Sequence, residues 1–348
     1  MAIRRRLTAI GESFALARPF SISRGTKTAA EVVTVVLEQD GVIGRGECVP
    51  YARYGETVAG TIDEIEAQRA RLESGAGRHD MLRWMKAGAA RNAVDCALWD
   101  LEARLADSDV LTMLGKPGPL RPIATALTVG LAAPQAMGAA ARELARVPLI
   151  KVKVDRNDPA AQLRAVRAAA PRPRLIVDPN ESWTMDEVAG LQGLMAELRV
   201  DLLEQPLPAG EDGALADFAS AIPIAADESI HSAQDLAQLP GGYHVANIKL
   251  DKAGGLTAAL ELAAAARQRD LTLMTGCMVC SSLSIAPALV IAAESAFADL
   301  DGPVWLSHDR PGGVACRDGM LSGPEKGFWG GLASGPVRAT GAEQRAEP

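Results

Sequence analysis

A regular spacing of short apolar segments is the feature that most limits how this chain can fold. Each segment ends in a polar residue, and the intervals between successive ends are 22 to 26 residues. An Ala- and Leu-rich stretch follows most of the segments, and one strand with one helix fits such an interval. From the second segment onward, the polar ends are Lys153, Asp178, Glu204, Asp227, Lys249, Thr275 and Asp299.

Eight apolar segments with this spacing predict a closed parallel β/α barrel. The alternative, a doubly wound sheet, needs a glycine-rich turn after its first strand. Gly41, Gly44 and Gly46 do not follow that pattern and belong to a predicted hairpin. The predicted barrel strands are Thr125–Val129, Leu149–Val154, Leu175–Asp178, Asp201–Glu204, Ile224–Asp227, Val245–Lys249, Leu271–Thr275 and Phe297–Asp301.

The first third of the chain has a different pattern. A β-branched segment and the turn signal Asp40-Gly41 predict a hairpin, and apolar residues spaced three and four apart predict a buried helix around 90–101. A break rich in glycine and proline follows near residue 118. We therefore predict an α+β domain over 1–118, completed by residues of about 311–348, and a barrel over 119–310.

Composition narrows the function classes. The net charge of −7 argues against a nucleic-acid or anionic-membrane partner. The apolar run at 285–293 is short compared with the roughly 20 residues of a membrane span. The first residues, MAIRRRLTAIGES, lack the apolar core of a signal peptide, and five irregularly spaced cysteines do not form a disulfide framework. We expect a cytoplasmic protein, and a homo-oligomer is left open.

Charged residues are concentrated at the predicted carboxyl ends of the barrel strands, where the active site of such a barrel lies. Residues two apart on a strand share one face, so the two lysines of the second strand point the same way, as do the two aspartates of the last. The charged strand-end residues are Lys151, Lys153, Asp178, Glu204, Asp227, Lys249, Asp299 and Asp301.

Three carboxylates at successive strand ends would repel one another, and a bound cation resolves that repulsion. Asp178, Glu204 and Asp227 are all oxygen donors, and no histidine or cysteine ends these strands. Oxygen donors favour Mg²⁺ over zinc or copper. The sequence therefore predicts one Mg²⁺ bound by these three side chains.

Lysines beside such a site indicate proton transfer at carbon. A C–H next to a carboxylate is a weak acid, and its removal needs stabilised negative charge and a base with a lowered pKa. A second cation, Lys151 beside Lys153, favours a neutral base. Lys249 on the other side of the barrel could return a proton with inversion, which is racemisation or epimerisation.

Seven segments carry a resemblance to a known family over essentially the whole chain. The chain resembles the muconate-lactonising branch of the enolase superfamily, which implies a modified TIM barrel of the (β/α)7β type with an N-terminal α+β capping domain. The matching segments are RNAVDCALWDLEAR (91–104), LIKVKVD (149–155), LIVDPNESW (175–183), LLEQPLP (202–208), IAADES (224–229), NIKLDKAGG (247–255) and FADLDGP (297–303).

Within that branch the chain most resembles the dipeptide epimerases, especially those acting on L-Ala-D/L-Glu from murein peptide. The resemblance implies that Lys153 and Lys249 are the acid/base pair and that Asp299 and Asp301 hold the dipeptide's ammonium group. The remaining substrate-binding residues that it implies are Arg24, for the glutamate side chain, together with Thr128, Lys151 and Val279.

Three other functions stay open at this point. An o-succinylbenzoate synthase or N-acylamino-acid racemase would share the metal and the lysines but bind an acyl group. A dipeptide epimerase of another side-chain specificity would differ around the second residue. A catalytically silent relative would only bind a small anion. Pro179, directly after Asp178, has no functional interpretation.

Overall fold

The computed structural model describes residues 5–22, 25–116 and 118–332. Its first sheet contains three antiparallel strands, β1 (Arg5–Ile22), β2 (Gly25–Gln39) and β3 (Val42–Cys48). Asp40 and Gly41 connect β2 to β3 with φ angles of 53° and 80°, as a tight two-residue hairpin turn requires. The predicted hairpin is confirmed.

Five helices follow the sheet, and the longest lies directly against it. A Cβ atom on Gly46 of β3 would lie 2.1 Å from the carbonyl oxygen of Ala93, and one on Gly44 would lie 2.4 Å from that of Ala97. These two glycines therefore let a strand and a helix approach backbone to backbone. The helices are α1 (Val58–Glu66), α2 (Arg69–Glu73), α3 (Arg78–Met81), α4 (Ala89–Leu105) and α5 (Val110–Met113).

Replacing Gly46 by alanine is expected to lower the free energy of unfolding by about 1–3 kcal/mol, because the added methyl group meets backbone rather than a movable side chain. Gly193→Ala is the matched control, since nothing lies within 4 Å of its added Cβ. Urea unfolding of both variants checks this, and equal stability of the two would contradict the close packing of β3 on α4.

The rest of the described chain is a β/α barrel followed by a short antiparallel sheet. Strands β5 to β12 form one eight-stranded parallel sheet in sequence order. The amide of Ala126 donates to the carbonyl of Ala298 at 2.8 Å. This hydrogen bond joins the first strand of the barrel to the last; each barrel strand with its adjoining residues is called a stave below. The elements are β4 (Ile123–Ala124), β5 (Leu127–Val129), α6 (Pro134–Glu143), β6 (Leu149–Lys153), α7 (Pro159–Ala169), β7 (Arg174–Asp178), α8 (Met185–Gly190), α9 (Gln192–Glu197), β8 (Leu202–Glu204), β9 (Ile224–Ala226), β10 (Val245–Ile248), α10 (Leu250–Ala253), α11 (Leu256–Gln268), β11 (Thr272–Gly276), α12 (Ser282–Ala292), β12 (Phe297–Asp299), β13 (Ala315–Arg317) and β14 (Met320–Ser322).

The predicted fold class, an α/β barrel with an N-terminal α+β domain, is confirmed. Two connections differ from the repeating pattern, because β8–β9 and β9–β10 are joined through the short 3₁₀ turns Asp212–Leu215 and Asp235–Ala237 rather than α-helices. Pro206, Pro208 and Gly210 interrupt the first of these connections and disfavour a continuous helix there.

Helix α4 connects the N-terminal sheet to the barrel. Its buried Asp95 accepts hydrogen bonds from the amide and hydroxyl of Thr257 at 2.9 and 2.6 Å. Trp329, beyond the barrel, donates to the carbonyl of Cys96 at 3.1 Å, so the chain after the barrel also contacts this helix. The domain bounds 1–118, 119–310 and about 311–348 stay a prediction. Within the described residues, no helix is both long enough and apolar enough to cross a membrane.

Candidate active site

The site is built on a ring of apolar side chains that closes the bottom of the barrel. Each stave contributes one buried member, and these eight residues form a separate apolar cluster. Side chains two positions further along a strand point to the same face, so the next layer consists of the residues that follow each member by two. The apolar ring is Ala126, Leu149, Ile176, Leu202, Ala225, Val245, Met274 and Phe297; the layer above it is Thr128, Lys151, Asp178, Glu204, Asp227, Asn247, Gly276 and Asp299.

Lys151 lies at the centre of this polar layer. Its ammonium group is 2.9 Å from Asp178 Oδ2, 2.7 Å from Glu204 Oε2 and 2.8 Å from Asp299 Oδ2. Burial would lower the pKa of Lys151, but the charges of Asp178, Asp299 and Glu204 outweigh burial and hold the pKa well above its usual range. These carboxylates therefore hold Lys151 in its protonated form.

The other two predicted lysines lie one step higher, each against a carboxylate. Lys153 Nζ is 2.5 Å from Asp178 Oδ2, and Lys249 Nζ is 2.6 Å from Asp227 Oδ2. Burial lowers the pKa of Lys249, but the charge of Asp227 outweighs it and raises the pKa well above normal. The Asp227 carboxylate, as the direct partner of Lys249, is the cause of this rise.

Two polar residues of the site are absent from the sequence-based set. Asn247 donates to Glu204 Oε1 at 3.0 Å, and Lys252 on α10 contacts Asp227 Oδ1 at 2.6 Å. The period-two count along β10 from Val245 through Asn247 could have identified the asparagine. Lys252 follows the strand on a helix, where a lysine is normally a solvated residue, so local pattern alone gave no signal for it.

The predicted metal ligands have the burial and the charge that a divalent cation would offset. Asp178, Glu204 and Asp227 are at most 1% exposed. Burial, and next the negative charge of Asp178, raise the pKa of Glu204 to about 8. A carboxylate in that position needs further positive charge to stay ionised. The donor set is all oxygen and fits Mg²⁺.

The side chains themselves are not arranged around a common point. Among residues 5–22, 25–116 and 118–332, no group of three or more His, Cys, Asp or Glu side chains has the spacing of a metal site. The physical reason is that ammonium groups contact these carboxylates: Lys151 lies between Asp178 and Glu204, and Lys249 contacts Asp227.

The carboxylates of the last stave differ in their partners. Asp301 Oδ2 accepts from the Thr128 amide at 2.9 Å and from the Trp305 ring nitrogen at 3.1 Å. Burial, and next the charge of Asp299, raise the pKa of Asp301 to about 6. Asp299 Oδ1 is buried, and within the described chain no hydrogen-bond donor reaches it. This oxygen is therefore available to a donor from a ligand.

One cavity of about 870 Å³ brings most of the predicted site residues together. The N-terminal domain supplies part of its wall through residues 50–54 and Lys27. Arg53 of this segment forms a salt bridge to Glu181 of the barrel at 2.9 Å. Arg24 lies outside the described residues. The predicted residues that line the cavity are Thr128, Lys151, Lys153, Asp227, Lys249, Val279, Asp299 and Asp301. Asp178 and Glu204, of the same polar layer, are fully buried and do not line it.

Comparison with known proteins assigns both parts of the chain to one family. Residues 5–115 match the model described as "Mandelate racemase / muconate lactonizing enzyme, N-terminal domain". Residues 135–328 match the model "Enolase C-terminal domain-like". The two matches cover well over half of the chain.

Similar proteins include two curated relatives. The L-Ala-D/L-Glu epimerase of Escherichia coli (strain K12) is 45% identical over 88% of this chain and 95% of its own length. The N-acetyl-D-glutamate racemase of a Pseudoalteromonas species is 40% identical over 86% of this chain and 95% of its own length. Both relatives are isomerases acting on a glutamate derivative.

Two solved structures are also similar to this chain. An enolase family member from Agrobacterium tumefaciens with homology to dipeptide epimerases, bound to sodium and L-Ala-L-Glu, is 48% identical; the match covers 94% of this chain and 100% of that one with a TM-score of 0.91. The dipeptide epimerase of Enterococcus faecalis, complexed with Mg and L-Leu-L-Tyr, is 29% identical; that match covers 95% and 99% with a TM-score of 0.86. This chain is an isomerase, and it belongs to the mandelate racemase and muconate lactonizing enzyme group of the enolase superfamily.

Proposed function

We propose that this protein is a Mg²⁺-dependent dipeptide epimerase that inverts the α-carbon of the C-terminal residue, with L-Ala-D/L-Glu from murein peptide as its substrate. The observation that carries the proposal is the placement of two lysines on opposite staves of one cavity. Lys153 ends β6 and Lys249 follows β10, and these strands are four apart in the eight-stranded order. Staves four apart in a closed barrel of eight lie on opposite sides.

This placement supports a two-base transfer. The substrate's α-carbon can lose its proton to one amine and become a planar carbanion, which then gains a proton from the ammonium group on the opposite face, and the carbon is inverted. The neutral amine accepts the α-proton while the opposite ammonium donates one. For Lys249 to accept a proton, the charge of its partner Asp227 must be engaged by another positive group, as the raised pKa of Lys249 shows that this pair holds the proton.

The three carboxylates on β7, β8 and β9 lie on one side, between the two lysine staves. When bound, Mg²⁺ held by Asp178, Glu204 and Asp227 would offset their charge and that of the substrate carboxylate as the α-proton leaves. Two lines support this cofactor: the all-oxygen donor set with a Glu204 that lacks sufficient positive charge, and the Mg present in the Enterococcus faecalis relative.

The opposite side of the cavity supports a dipeptide. Strands β12 and β5 close the barrel there, and Asp299 Oδ1 is a buried acceptor that an N-terminal ammonium group could reach. The Escherichia coli and Agrobacterium tumefaciens relatives support L-Ala-Glu in particular. The role of Arg24 as partner of the glutamate side chain stays a prediction, as do substrate contacts at Thr128 and Val279.

The second candidate is an N-acylamino-acid racemase. The 40% identity to the Pseudoalteromonas N-acetyl-D-glutamate racemase favours it, since that reaction needs the same proton chemistry at a glutamate α-carbon. An acyl substrate has no ammonium group, however, and would leave Asp299 Oδ1 without a donor. Specificity for the substrate's nitrogen end therefore separates the two candidates.

The double variant Asp299→Asn with Asp301→Asn is expected to lose most of its kcat/KM for L-Ala-L-Glu. Each charge-assisted hydrogen bond to an ammonium group contributes about 1.5–3 kcal/mol, which is roughly ten- to a hundredfold. N-acetyl-L-Ala-L-Glu has no ammonium group, so its turnover by the same variant is expected to change much less. Steady-state assays of both compounds, and of N-acetylglutamate, give the comparison.

The N-acetylated dipeptide is the internal control, because it shares the carbon at which the proton moves. Asp301→Asn alone is a second control that leaves the Asp299 contact with Lys151 in place. Equal losses for free and acetylated dipeptide would show that the aspartates are structural. N-acetylglutamate as the better substrate of the unmodified protein would establish the racemase instead.

A further inference from the structure

Every polar atom of Asp227 has a defined partner, and two of these partners lie outside the substrate cavity. Its amide donates to Gln205 Oε1 at 2.8 Å, and its Oδ1 and carbonyl oxygen both accept from Lys252 Nζ, the former at 2.6 Å. The remaining atom, Oδ2, contacts Lys249 Nζ at 2.6 Å. The two carboxylate oxygens therefore have different partners: Oδ1 binds Lys252, which lies outside the cavity, and Oδ2 binds Lys249, which lines it.

The ammonium group of Lys252 is itself held tightly. Besides Asp227 it donates to the carbonyl oxygens of Ile230 at 3.0 Å and Asn247 at 3.2 Å, and the residue is 2% exposed. Its backbone belongs to the single turn α10, which begins directly after Lys249. Residues three apart on a helix are neighbours on its surface, so one turn of backbone places both lysines against the same carboxylate.

We infer that Lys252 is a positioning residue that acts on catalysis through Asp227, fixing Oδ1 so that Oδ2 orients the Lys249 amine towards the substrate α-carbon. The inference rests on the two-lysine mechanism proposed above and adds an asymmetry to it. Lys153 has a different partner, Asp178, and does not depend on this contact. Loss of Lys252 should therefore impair Lys249 more than Lys153, which has in common with Lys249 only the metal that Asp227 would help to hold.

The physical reason lies in the cost of an unpaired buried carboxylate oxygen. Without the Lys252 ammonium group, Asp227 Oδ1 loses its donor, and the side chain rotates to share its remaining partner. The position of Oδ2 is then no longer defined, and neither is the position of the Lys249 amine.

Solvent exchange in D₂O measures each base separately. Exchange of the glutamate α-proton that survives in Lys153→Ala reports Lys249, and exchange that survives in Lys249→Ala reports Lys153. Adding Lys252→Met to the first variant is expected to slow exchange by about 10- to 100-fold, the usual effect of losing a partner that orients a site residue. Adding it to the second is expected to slow exchange by a clearly smaller factor.

Lys86→Met is the matched control, because it removes a lysine whose side chain is 76% exposed. Lys252→Gln keeps an N–H donor but no charge, and serves if the methionine variant does not fold. A crystal structure of the metal-free Lys252→Met protein gives a readout that does not depend on activity: we expect a rotated Asp227 and a Lys249–Asp227 Oδ2 distance longer than the 2.6 Å seen here.

The outcomes separate the inference from the proposed function. Equal slowing in both backgrounds, or no slowing, together with an unmoved Asp227, would overturn the positioning role of Lys252 while leaving the epimerase intact. Absence of exchange in the unmodified protein with either epimer of L-Ala-Glu would instead reject the proposed function, and the position of Asp227 in the variant structure would then decide the inference alone.

Discussion

Lys249→Ala is expected to abolish epimerisation of L-Ala-Glu while leaving solvent exchange into one of the two epimers. Inversion needs an acid on one face of the carbon and a base on the other, and a positioned base contributes about 10²- to 10⁴-fold to the rate. The structure places Lys249 and Lys153 on staves four apart, so the remaining lysine can still remove and replace a proton on its own face. Optical rotation measures inversion, and mass spectrometry in D₂O measures exchange.

Lys153→Ala is expected to show the mirror result, with exchange into the other epimer. Lys86→Met again controls for loss of an exposed lysine. The two-base assignment would be contradicted if either single variant inverted the substrate at near the unmodified rate. Exchange into the same epimer in both variants would also contradict it, because it would place both amines on one face.

Removal of divalent metal is expected to reduce epimerisation by at least about a hundredfold, with recovery on addition of Mg²⁺, since a metal supplies several kcal/mol of charge stabilisation in such reactions. Glu204→Gln should reproduce the loss and should not recover. This residue is the most informative ligand to change because burial and Asp178 together raise its pKa to about 8, so its ionised form depends on added positive charge.

Glu197→Gln is the control for the glutamate substitution, as its side chain is 63% exposed. Isothermal titration with Mg²⁺ alone tests binding apart from turnover, and Glu204→Gln should weaken it. Full activity after exhaustive EDTA treatment, with no bound metal by elemental analysis, would remove Mg²⁺ from the account.

The barrel could be predicted from sequence because its signal is periodic. Each strand of the barrel begins within two residues of the predicted start, and the period of two along a strand predicts which side chains share the polar layer. The same rule explains why Lys151 and Lys153 point to one side. The pattern does not predict which side chains these lysines contact, because a contact such as that between Lys151 and Asp299 joins residues 148 positions apart in the chain.

Features set by long-range packing were missed. Lys252 is buried with its ammonium group against Asp227 and the carbonyl oxygens of Ile230 and Asn247, contacts that no local periodicity shows. The contact of Lys249 with Asp227 was also missed, because the sequence does not show that Asp227 Oδ2 lies 2.6 Å from its amine. The predicted roles of the metal ligands and of Arg24 remain open to experiment.

The central claim is that a proton moves at the α-carbon of the second residue of a free dipeptide. Incubation of the unmodified protein with L-Ala-L-Glu and Mg²⁺ in D₂O, followed by proton NMR, tests it most directly. The account predicts loss of the glutamate α-proton signal, retention of the alanine α-proton, and appearance of L-Ala-D-Glu. Retention of both α-protons, or exchange with N-acetylglutamate alone, would contradict it.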